Sequence, residues 1–305
     1  MATTSATAST TTTTTTGPAG RARPSVHEPS RTGTVFYWVG GTLASLVFVI
    51  PLLWAVLRSF QPGSLITAAP QWKDFTSLTA SNYEQLLGGH IRLWRYVVNS
   101  LIVSVGTAAL TAIVATLAGY GFAKFRFRGA GLIFGVIILT MMVPFQAVLT
   151  PLFLELNTVG LTDSRLGLIL FYATFNLPFG VFVMRNSFAA VPSELEDSAH
   201  LDGCGSMKSL LLVLRPLVLP GIATTVLYSF LMSWTEFLGA LTFLTKSSLF
   251  TLPVALLNIQ SGSYGQLNYG YLIAGAVIAM VPCVILYIAL QRFYIQGLSS
   301  GALKG

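Results

Sequence analysis

Long apolar segments, separated by shorter polar stretches, dominate the hydropathy pattern of the chain. Six of these segments reach about 20 residues, the length that an α-helix needs to cross the hydrocarbon core of a bilayer. They cover residues 35–58, 96–122, 132–154, 166–184, 217–244 and 271–290. The pattern therefore predicts an all-α integral membrane protein with six transmembrane helices.

The polar stretches divide the predicted protein into five parts. Residues 1–34 are rich in Thr, Ser, Ala and Pro, and a segment of this composition cannot form a packed core. A short helix is expected near 82–87, within the first polar connector. In chain order, the predicted parts are a disordered cytoplasmic tail (1–34), a first transmembrane helix (35–58), an extracytoplasmic connector (59–95), a core of five transmembrane helices (96–294) and a cytoplasmic C-terminal tail (295–305).

The composition agrees with a membrane protein and argues against a soluble one. Hydrophobic residues make up 53% of the chain and charged residues 9%, with a mean hydropathy of +0.72, whereas soluble domains carry about 25% charged residues. The net charge of +7 does not come from a basic patch with interleaved aromatic residues, so we expect no nucleic-acid partner. Cys204 lies in a polar segment and Cys283 in an apolar one, which disfavours a disulfide between them.

Lys and Arg are unevenly distributed between the two sides of the membrane. With the N-terminus in the cytoplasm, eleven of the 17 basic residues fall inside and six outside. Cytoplasmic loops of membrane proteins carry the excess of positive charge. The bias predicts a multi-pass protein of the cytoplasmic membrane, surrounded by lipid, with both termini and the polar segment 192–220 inside.

The segment 192–220 is an acidic island between two apolar spans. Ser193 and Glu196 have the spacing of a capping box, which predicts the start of a helix. A turn is expected at Gly203, and a second helix near Ser206. Spacing alone leaves a solvated acidic loop and a helix presented to a partner equally open. Four of the ten carboxylates of the chain lie here: Glu194, Glu196, Asp197 and Asp202.

The island resembles the EAA loop of ABC-importer permease subunits, the loop that docks on the ATP-hydrolysing subunits. That motif reads roughly E-A-A-x-x-x-G, followed further on by I-x-L-P. Asp197-Ser198-Ala199 stand at its first three positions and Gly203 at its glycine, while Arg215-Pro216 stand at its last two positions. Asp197 keeps the charge of the glutamate that it replaces, whereas Ser198 and Arg215 leave the detailed contacts open.

Other segments resemble the carbohydrate branch of that family, the maltose-type (MalG-like) permeases. Asn99-Ser100-Leu101 opens the second span, Met141-Met142-Val143-Pro144 lies in the third, and Trp234-Thr235-Glu236-Phe237 is similar to the W-N-E-F of the family. Gly301-Ala302-Leu303-Lys304-Gly305 resembles its G-A-x-K-G tail. The resemblance covers about residue 35 to the end of the chain.

The resemblance implies one half of a translocation pore, in an ABC type I importer with a cytoplasmic EAA coupling helix. The implied partners are a second, homologous permease subunit that completes a heterodimer, a dimer of ATP-binding subunits and an extracytoplasmic solute-binding protein. The sequence contains no Walker glycine loop, so we expect no enzyme here, and ATP hydrolysis on a separate subunit. Leu195 and Ala199, four residues apart, are expected on one helical face that packs into a groove of the ATPase.

Three sets of contact residues follow from the resemblance. The set expected to dock on the ATPase through the EAA loop is Glu194, Leu195, Glu196, Asp197, Ser198, Ala199, Asp202, Gly203 and Pro216. The C-terminal set expected between the ATPase subunits is Gly301, Ala302, Lys304 and Gly305. Without the resemblance, these residues are equally typical of a frayed chain end. The set expected near the solute-binding protein is Gln260, Tyr264, Gln266 and Asn268. A plain connector is an equally good interpretation of the loop that holds them.

Glu236 lies inside an apolar span and needs an explanation. A carboxylate at the centre of a bilayer costs roughly 3 kcal/mol on insertion scales, so such groups usually face a cavity or a partner. A structural pair and a position on the translocation path both remain open. Gln146, Asn176 and Trp234 are weaker candidates for the path, because membrane helices also use amide side chains to hold one another.

Several alternatives remain open. Pro144, Pro151 and Pro178 allow hinges or static bends. A self-contained secondary carrier is the rival class, but such carriers often show internal repeats and paired intramembrane charges, and the sequence shows no obvious repeat. The three His residues lack metal-site spacing, so we expect neither a metal nor a cofactor. Oligosaccharides lead among the substrates, with glycerol phosphate and polyols as alternatives.

Overall fold

The computed structural model describes residues 31–63, 77–263 and 267–302, which form helices joined by turns and loops. The chain divides into two units between Pro51 and Leu52. Residues 1–30 of the predicted tail lie outside the described part of the chain. Residues 31–34 belong to the first helix, so helical structure begins earlier than the sequence pattern predicts.

The helices are numbered in chain order. They are α1 (Arg31–Ser59), α2 (Ser81–Gly88), α3 (Trp94–Lys124), α4 (Ala130–Thr140), α5 (Phe145–Thr158), α6 (Arg165–Ala189), α7 (Ser193–Leu201), α8 (Ser206–Leu217), α9 (Leu219–Thr235), α10 (Leu238–Phe243), α11 (Leu252–Gln260) and α12 (Tyr269–Ala302). The middle of α8, Ser209–Leu214, is π-helical. Helix α2 confirms the short helix expected near 82–87, and the separation of α7 from α8 confirms the break expected at Gly203.

Six spans account for the apolar segments. Helices α1, α3, α6 and α12 are each long and apolar enough to cross a membrane. The pairs α4–α5 and α8–α9 are bent by 100° and 81°, and each pair passes the same test when its two helices count as one span. The predicted count of six is thus met by four continuous helices and two bent pairs.

Proline chemistry explains the bend between α4 and α5. Pro144 has extended backbone immediately before α5 (φ −66°, ψ 125°), and it offers no backbone N–H for a helical hydrogen bond. Of the three prolines that allow a hinge or a static bend, Pro144 lies at a bend of the structure, whereas Pro151 and Pro178 lie inside continuous helices. The predicted fifth span, 217–244, is not one helix, because the backbone becomes extended at Glu236 between α9 and α10.

Small residues allow close packing at the centre of the bundle. The most extensive contact between two helices joins α3 and α6. A Cβ atom added to Gly119 would lie 2.5 Å from Cβ of Met184, and one added to Gly180 would lie 2.9 Å from Cβ of Ala115. Membrane helices use such small residues to approach closely, since lipid provides no hydrophobic drive for their association.

Polar side chains connect the helix ends to the loops. The Asn99 amide, near the start of α3, donates hydrogen bonds to the carbonyls of Ser248 (2.9 Å) and Phe250 (3.0 Å), and the Ser100 hydroxyl accepts one from the backbone N–H of Leu252 (2.7 Å). The Asn82 amide donates to the carbonyls of Ser59 and Gln61, both at 2.8 Å. These bonds fix the loop before α11 and the connector before α2 against the bundle.

An apolar cluster places the acidic helix. Met184 and Phe188 of α6 pack with Tyr120 of α3 and with Leu210 and Leu214 of α8, and all five side chains are buried. Helix α8 is thereby held against α3 and α6. Helix α7, which the turn at 202–205 joins to α8, consequently lies beside the C-terminal end of α3.

Candidate functional sites: the acidic helix and a cavity in the bundle

Helix α7 does not begin with the predicted capping box. Pro192 is the N-cap residue and Ser193 is already the first helical residue, and no side-chain hydrogen bond caps this end. Glu196 instead accepts a hydrogen bond from the Tyr120 hydroxyl at 2.5 Å. The predicted helix start is confirmed, whereas the capping box is not formed, because Ser193 is already helical and the Glu196 carboxylate bonds to a phenol from another helix.

Glu196 belongs to a small network that joins α7 to α3. Nζ of Lys124 lies 4.0 Å from Oε2 of Glu196, and these two side chains are only 10% and 12% exposed. Lys124 also donates to the carbonyl of Val191, at 2.9 Å, and the Tyr120 hydroxyl lies 3.4 Å from the carbonyl of Ser206. The end of α3 therefore contacts the chain both before and after α7.

Ala199 also faces the interior of this chain. It is 5% exposed, whereas Leu195 is 42% exposed, so these two residues do not form one exposed apolar face. Leu201 is 89% exposed at the end of α7 and was missed by the sequence analysis, although its position beside the turn is a usable signal. Ser193 and His200 are exposed as well. Five further exposed residues, here called the exposed face of α7, are Glu194, Leu195, Asp197, Ser198 and Leu201.

The turn after α7 has a defined backbone. Gly203 has φ +81°, a left-handed conformation that favours glycine. No atom lies within 4 Å of a Cβ built there, so the glycine serves the turn and not a close approach within the chain. Nδ1 of His200 lies 2.8 Å from the carbonyl of Cys204 and closes the turn. Asp202 and Pro216 are both exposed, Pro216 in the last turn of α8.

A cavity of about 450 Å³ opens in the bundle between α5, α6 and α9. It brings together three of the four predicted path residues, Gln146, Asn176 and Glu236. Trp234 is the exception: its indole N–H donates to the carbonyl of Ala279 at 3.0 Å, and its side chain is 2% exposed. Trp234 precedes Glu236 by two residues, which in a helix is a rotation of about 200°. It therefore packs against α12, and its prediction as a path residue is wrong.

Glu236 has a structural role and also faces the cavity. Its carboxylate accepts hydrogen bonds from the Tyr172 hydroxyl (2.5 Å) and from the backbone N–H groups of Gly239 (2.9 Å) and Ala240 (3.3 Å). The two N–H groups are unpaired donors in the first turn of α10, so the carboxylate caps that helix. The break between α9 and α10 thus places a negative charge on the cavity surface.

Aromatic residues that the sequence analysis missed line the same cavity. The rings of Phe179 and Tyr228 stack with their centroids 3.9 Å apart. Asn176 lies one turn of α6 before Phe179 and is 6% exposed. Within the described residues, the Asn176 amide has no hydrogen-bond partner. The i, i+3 spacing of an amide and an aromatic residue on α6 was the available sequence signal.

The remaining predicted contact residues are only partly described. Gln260 is exposed at the end of α11. Asn268 accepts hydrogen bonds from the backbone N–H groups of Gly270 (2.8 Å) and Tyr271 (3.4 Å), so it caps the start of α12. Gly301 and Ala302 end α12. Tyr264, Gln266, Lys304 and Gly305 lie outside the described residues.

Known proteins are similar to this chain over most of its length. It is 32% identical over 265 residues to the arabinooligosaccharides transport system permease protein AraQ of Bacillus subtilis (strain 168). The aligned residues cover 86% of this chain and 93% of AraQ. It is 31% identical over 275 residues to the diacetylchitobiose uptake system permease protein DasC of Streptomyces coelicolor, with coverage of 90% and 98%. It is 30% identical over 270 residues to the trehalose transport system permease protein SugB of Mycobacterium tuberculosis, with coverage of 88% and 97%.

The fold and the family of the chain are also those of known transport proteins. The crystal structure of a bacterial ABC transporter involved in the import of the acidic polysaccharide alginate contains a chain of the same fold. That chain matches with a TM-score of 0.72 and 24% identity, over 87% of this chain and 98% of its own length. Residues 111–299, more than half of the chain, match the description "binding-protein-dependent transport system inner membrane component". This multi-pass membrane protein therefore belongs to the family of inner-membrane components of binding-protein-dependent transport systems.

Proposed function

We propose that the chain is one of two permease subunits of an ATP-driven importer and forms half of the path for an oligosaccharide. The observation that carries the proposal is the similarity, over 86–90% of the chain, to permeases named for arabinooligosaccharides, diacetylchitobiose and trehalose. The second half of the pore is a homologous permease, and an extracytoplasmic solute-binding protein supplies the sugar. The first transmembrane helix, the extracytoplasmic connector, the core of five transmembrane helices and the C-terminal tail keep the roles that the sequence analysis gives them, with α1 beginning at Arg31.

The exposed face of α7 is the proposed docking surface for the ATP-binding subunits. Glu194 and Asp197 point outwards and carry charge to meet basic groups, while Leu195 and Leu201 offer apolar surface. Glu196 and Ala199 act from the inner side and fix the helix to the bundle. A helix fixed in this way transmits displacement, whereas a flexible loop absorbs it.

The proposed orientation puts α7 and both termini in the cytoplasm, in accord with the excess of basic residues there. The mechanism is alternating access: closure of the ATPase dimer moves α7, the spans rotate and the pore opens outward, and ATP hydrolysis resets it. Gln260 in its loop remains a proposed contact for the solute-binding protein. The chain end after Ala302 remains a proposed contact for the ATPase.

Reconstitution tests the proposal. The chain, its partner permease and the ATPase subunits are placed in vesicles, and uptake of an arabinose oligosaccharide, diacetylchitobiose and trehalose is measured with the binding protein outside and ATP inside. We expect uptake of at least one sugar that stops when the ATPase subunits are omitted. Uptake that an ion gradient drives without ATPase subunits would identify a secondary carrier and contradict the proposal.

A further inference from the structure

The cavity between α5, α6 and α9 has a one-sided charge. Glu236 is its only charged lining residue among those described, and no Lys, Arg or His stands with it. Its hydrogen bonds all come from O–H and N–H donors, as suits an ionised carboxylate. Tyr172 and the start of α10 hold the carboxylate in place, so it cannot turn away from a bound solute.

The same cavity presents a free amide and an aromatic surface. Asn176 is 6% exposed as a residue, lines the cavity and has no hydrogen-bond partner among the described residues. Its amide atoms are not fully buried, so they reach the open space of the cavity, where a ligand can meet them. The stacked rings of Phe179 and Tyr228 add an apolar surface one turn away. A volume of about 450 Å³ falls in the usual range for small-molecule sites.

We propose that this cavity is a saccharide subsite in which Asn176 binds a sugar hydroxyl and Glu236 excludes anionic solutes. The inference rests on the proposed function and deepens it, since it gives this chain its own contact with the transported sugar. An amide donates to and accepts from hydroxyl groups, and an aromatic surface packs against the C–H face of a sugar ring. A phosphate or uronate group at this site meets a fixed carboxylate with no cation to compensate it, which selects uncharged sugars over glycerol phosphate and acidic oligosaccharides.

Binding of sugars to the purified complex is measured without the solute-binding protein. The result then reports on the subsite itself and not on delivery of the sugar by that protein. The probes are trehalose, diacetylchitobiose, an arabinose oligosaccharide and an alginate oligosaccharide, each added at millimolar concentration, and the readout is the thermal unfolding midpoint. A ligand that binds only the folded state raises this midpoint. We expect a neutral sugar to raise it and the acidic one to bind about tenfold more weakly or not at all.

Two variants and one control assign the effect to named residues. Asn176→Leu removes the amide and is expected to abolish the sugar-dependent shift, whereas Asn186→Leu, a matched change at an exposed position of α6, is expected to retain it. Gln146→Lys adds a cation at an exposed position of the cavity surface and is expected to admit the acidic oligosaccharide. Gln146 is exposed and has no hydrogen-bond partner among the described residues, so this variant tests the charge argument without removing the cap of α10.

The outcomes separate this inference from the proposed function. A complex that transports a neutral sugar but shows no shift, or whose shift persists in Asn176→Leu, overturns the subsite and leaves the importer intact. Equal binding of neutral and acidic sugars to the unaltered complex overturns the charge selection. A complex that transports none of the sugars overturns the proposed function, and the subsite with it.

Discussion

At the scale of single residues, chemistry follows from the partner that each polar side chain meets. Glu236 and Glu196 both lie near apolar surroundings, and each accepts a hydrogen bond from a tyrosine of another helix. Asn99 and Asn268 use their side chains to satisfy backbone groups, whereas Asn176 does not. The residue types alone do not distinguish these roles, because an amide is equally suited to a loop, a helix cap or a ligand.

Replacing Tyr172 by phenylalanine tests the structural role of Glu236. The change removes one donor to a carboxylate that faces the cavity, and hydrogen bonds to charged groups contribute about 1.5–3 kcal/mol. We expect Tyr172→Phe to lower the free energy of unfolding by an amount in this range, measured by denaturant or thermal unfolding in detergent. Tyr228→Phe is the matched control, since it removes a hydroxyl of the same cavity that has no hydrogen-bond partner among the described residues. An equal loss in both variants would contradict the role of the Tyr172–Glu236 bond.

Asp163 gives a prediction about pH. Its carboxylate accepts hydrogen bonds from the hydroxyl (2.6 Å) and backbone N–H (2.6 Å) of Thr245 and from the N–H of Lys246 (3.0 Å). These bonds, that of the hydroxyl first, hold the pKa of Asp163 below its usual value. A lowered pKa in the folded state stabilises the protein above the unfolded pKa of about 3.9, and the stabilisation disappears as the pH falls through the lower folded value.

The unfolding midpoint of Asp163→Asn, compared with that of the unaltered chain between pH 7 and pH 3, measures this effect. We expect a constant difference above about pH 5 that shrinks below about pH 4. Asp202→Asn removes a carboxylate that is exposed beside α7 and controls for net charge. A difference that grows on acidification would refute the assigned role of Asp163.

At the scale of helices, the connection between α3 and α7 decides how motion is transmitted. Tyr120 and Lys124 belong to the last turns of α3, which packs along α6 through Gly119 and Gly180. In the proposed mechanism, displacement of α7 reaches the centre of the bundle through the contacts of Glu196 with Tyr120 and Lys124. The π-helical segment of α8 lies on the other side of the turn, and such segments are often found at functional sites.

Tyr120→Phe tests this connection without altering the exposed face of α7. The variant keeps the ring that packs on Phe188 but loses the hydroxyl bonded to Glu196. A bond of about 1.5–3 kcal/mol to a charged group corresponds to about tenfold or more in a coupled equilibrium. We expect about tenfold less uptake per ATP hydrolysed, while the ATPase subunits still copurify. Unchanged uptake per ATP would show that the bond does not contribute to coupling.

At the scale of the whole molecule, the proposed function assigns two surfaces of the chain to different partners. The cavity lies in the membrane-spanning bundle and the exposed face of α7 lies outside it, and the shared helices α3 and α6 join them.

Replacing both Glu194 and Asp197 by lysine reverses the charge of the docking surface. We expect the ATPase subunits to be lost from the purified complex, or uptake to be uncoupled, because like charges then oppose each other across the contact.

Copurification of the ATPase subunits with the tagged chain measures this prediction. Glu155→Lys, a charge reversal at an exposed position of α5, is the control and is expected to retain them. Intact association together with normal uptake in the double variant would argue against docking through α7.

The sequence by itself determined that the protein lies in a lipid bilayer, and it determined its six spans, the turn at Gly203 and its family. Hydropathy and turn chemistry are local properties that can be read from neighbouring residues. Tertiary structure alone decided that Glu196 and Ala199 face inward, that Trp234 packs on α12, and that Gln146, Asn176 and Glu236 meet in one cavity with Phe179 and Tyr228. These outcomes depend on helix rotation and on the bends at Pro144, Val218 and Glu236. Rotation and bending are set by close contacts between segments far apart in the chain, such as Gly180 against Ala115, which no local pattern records.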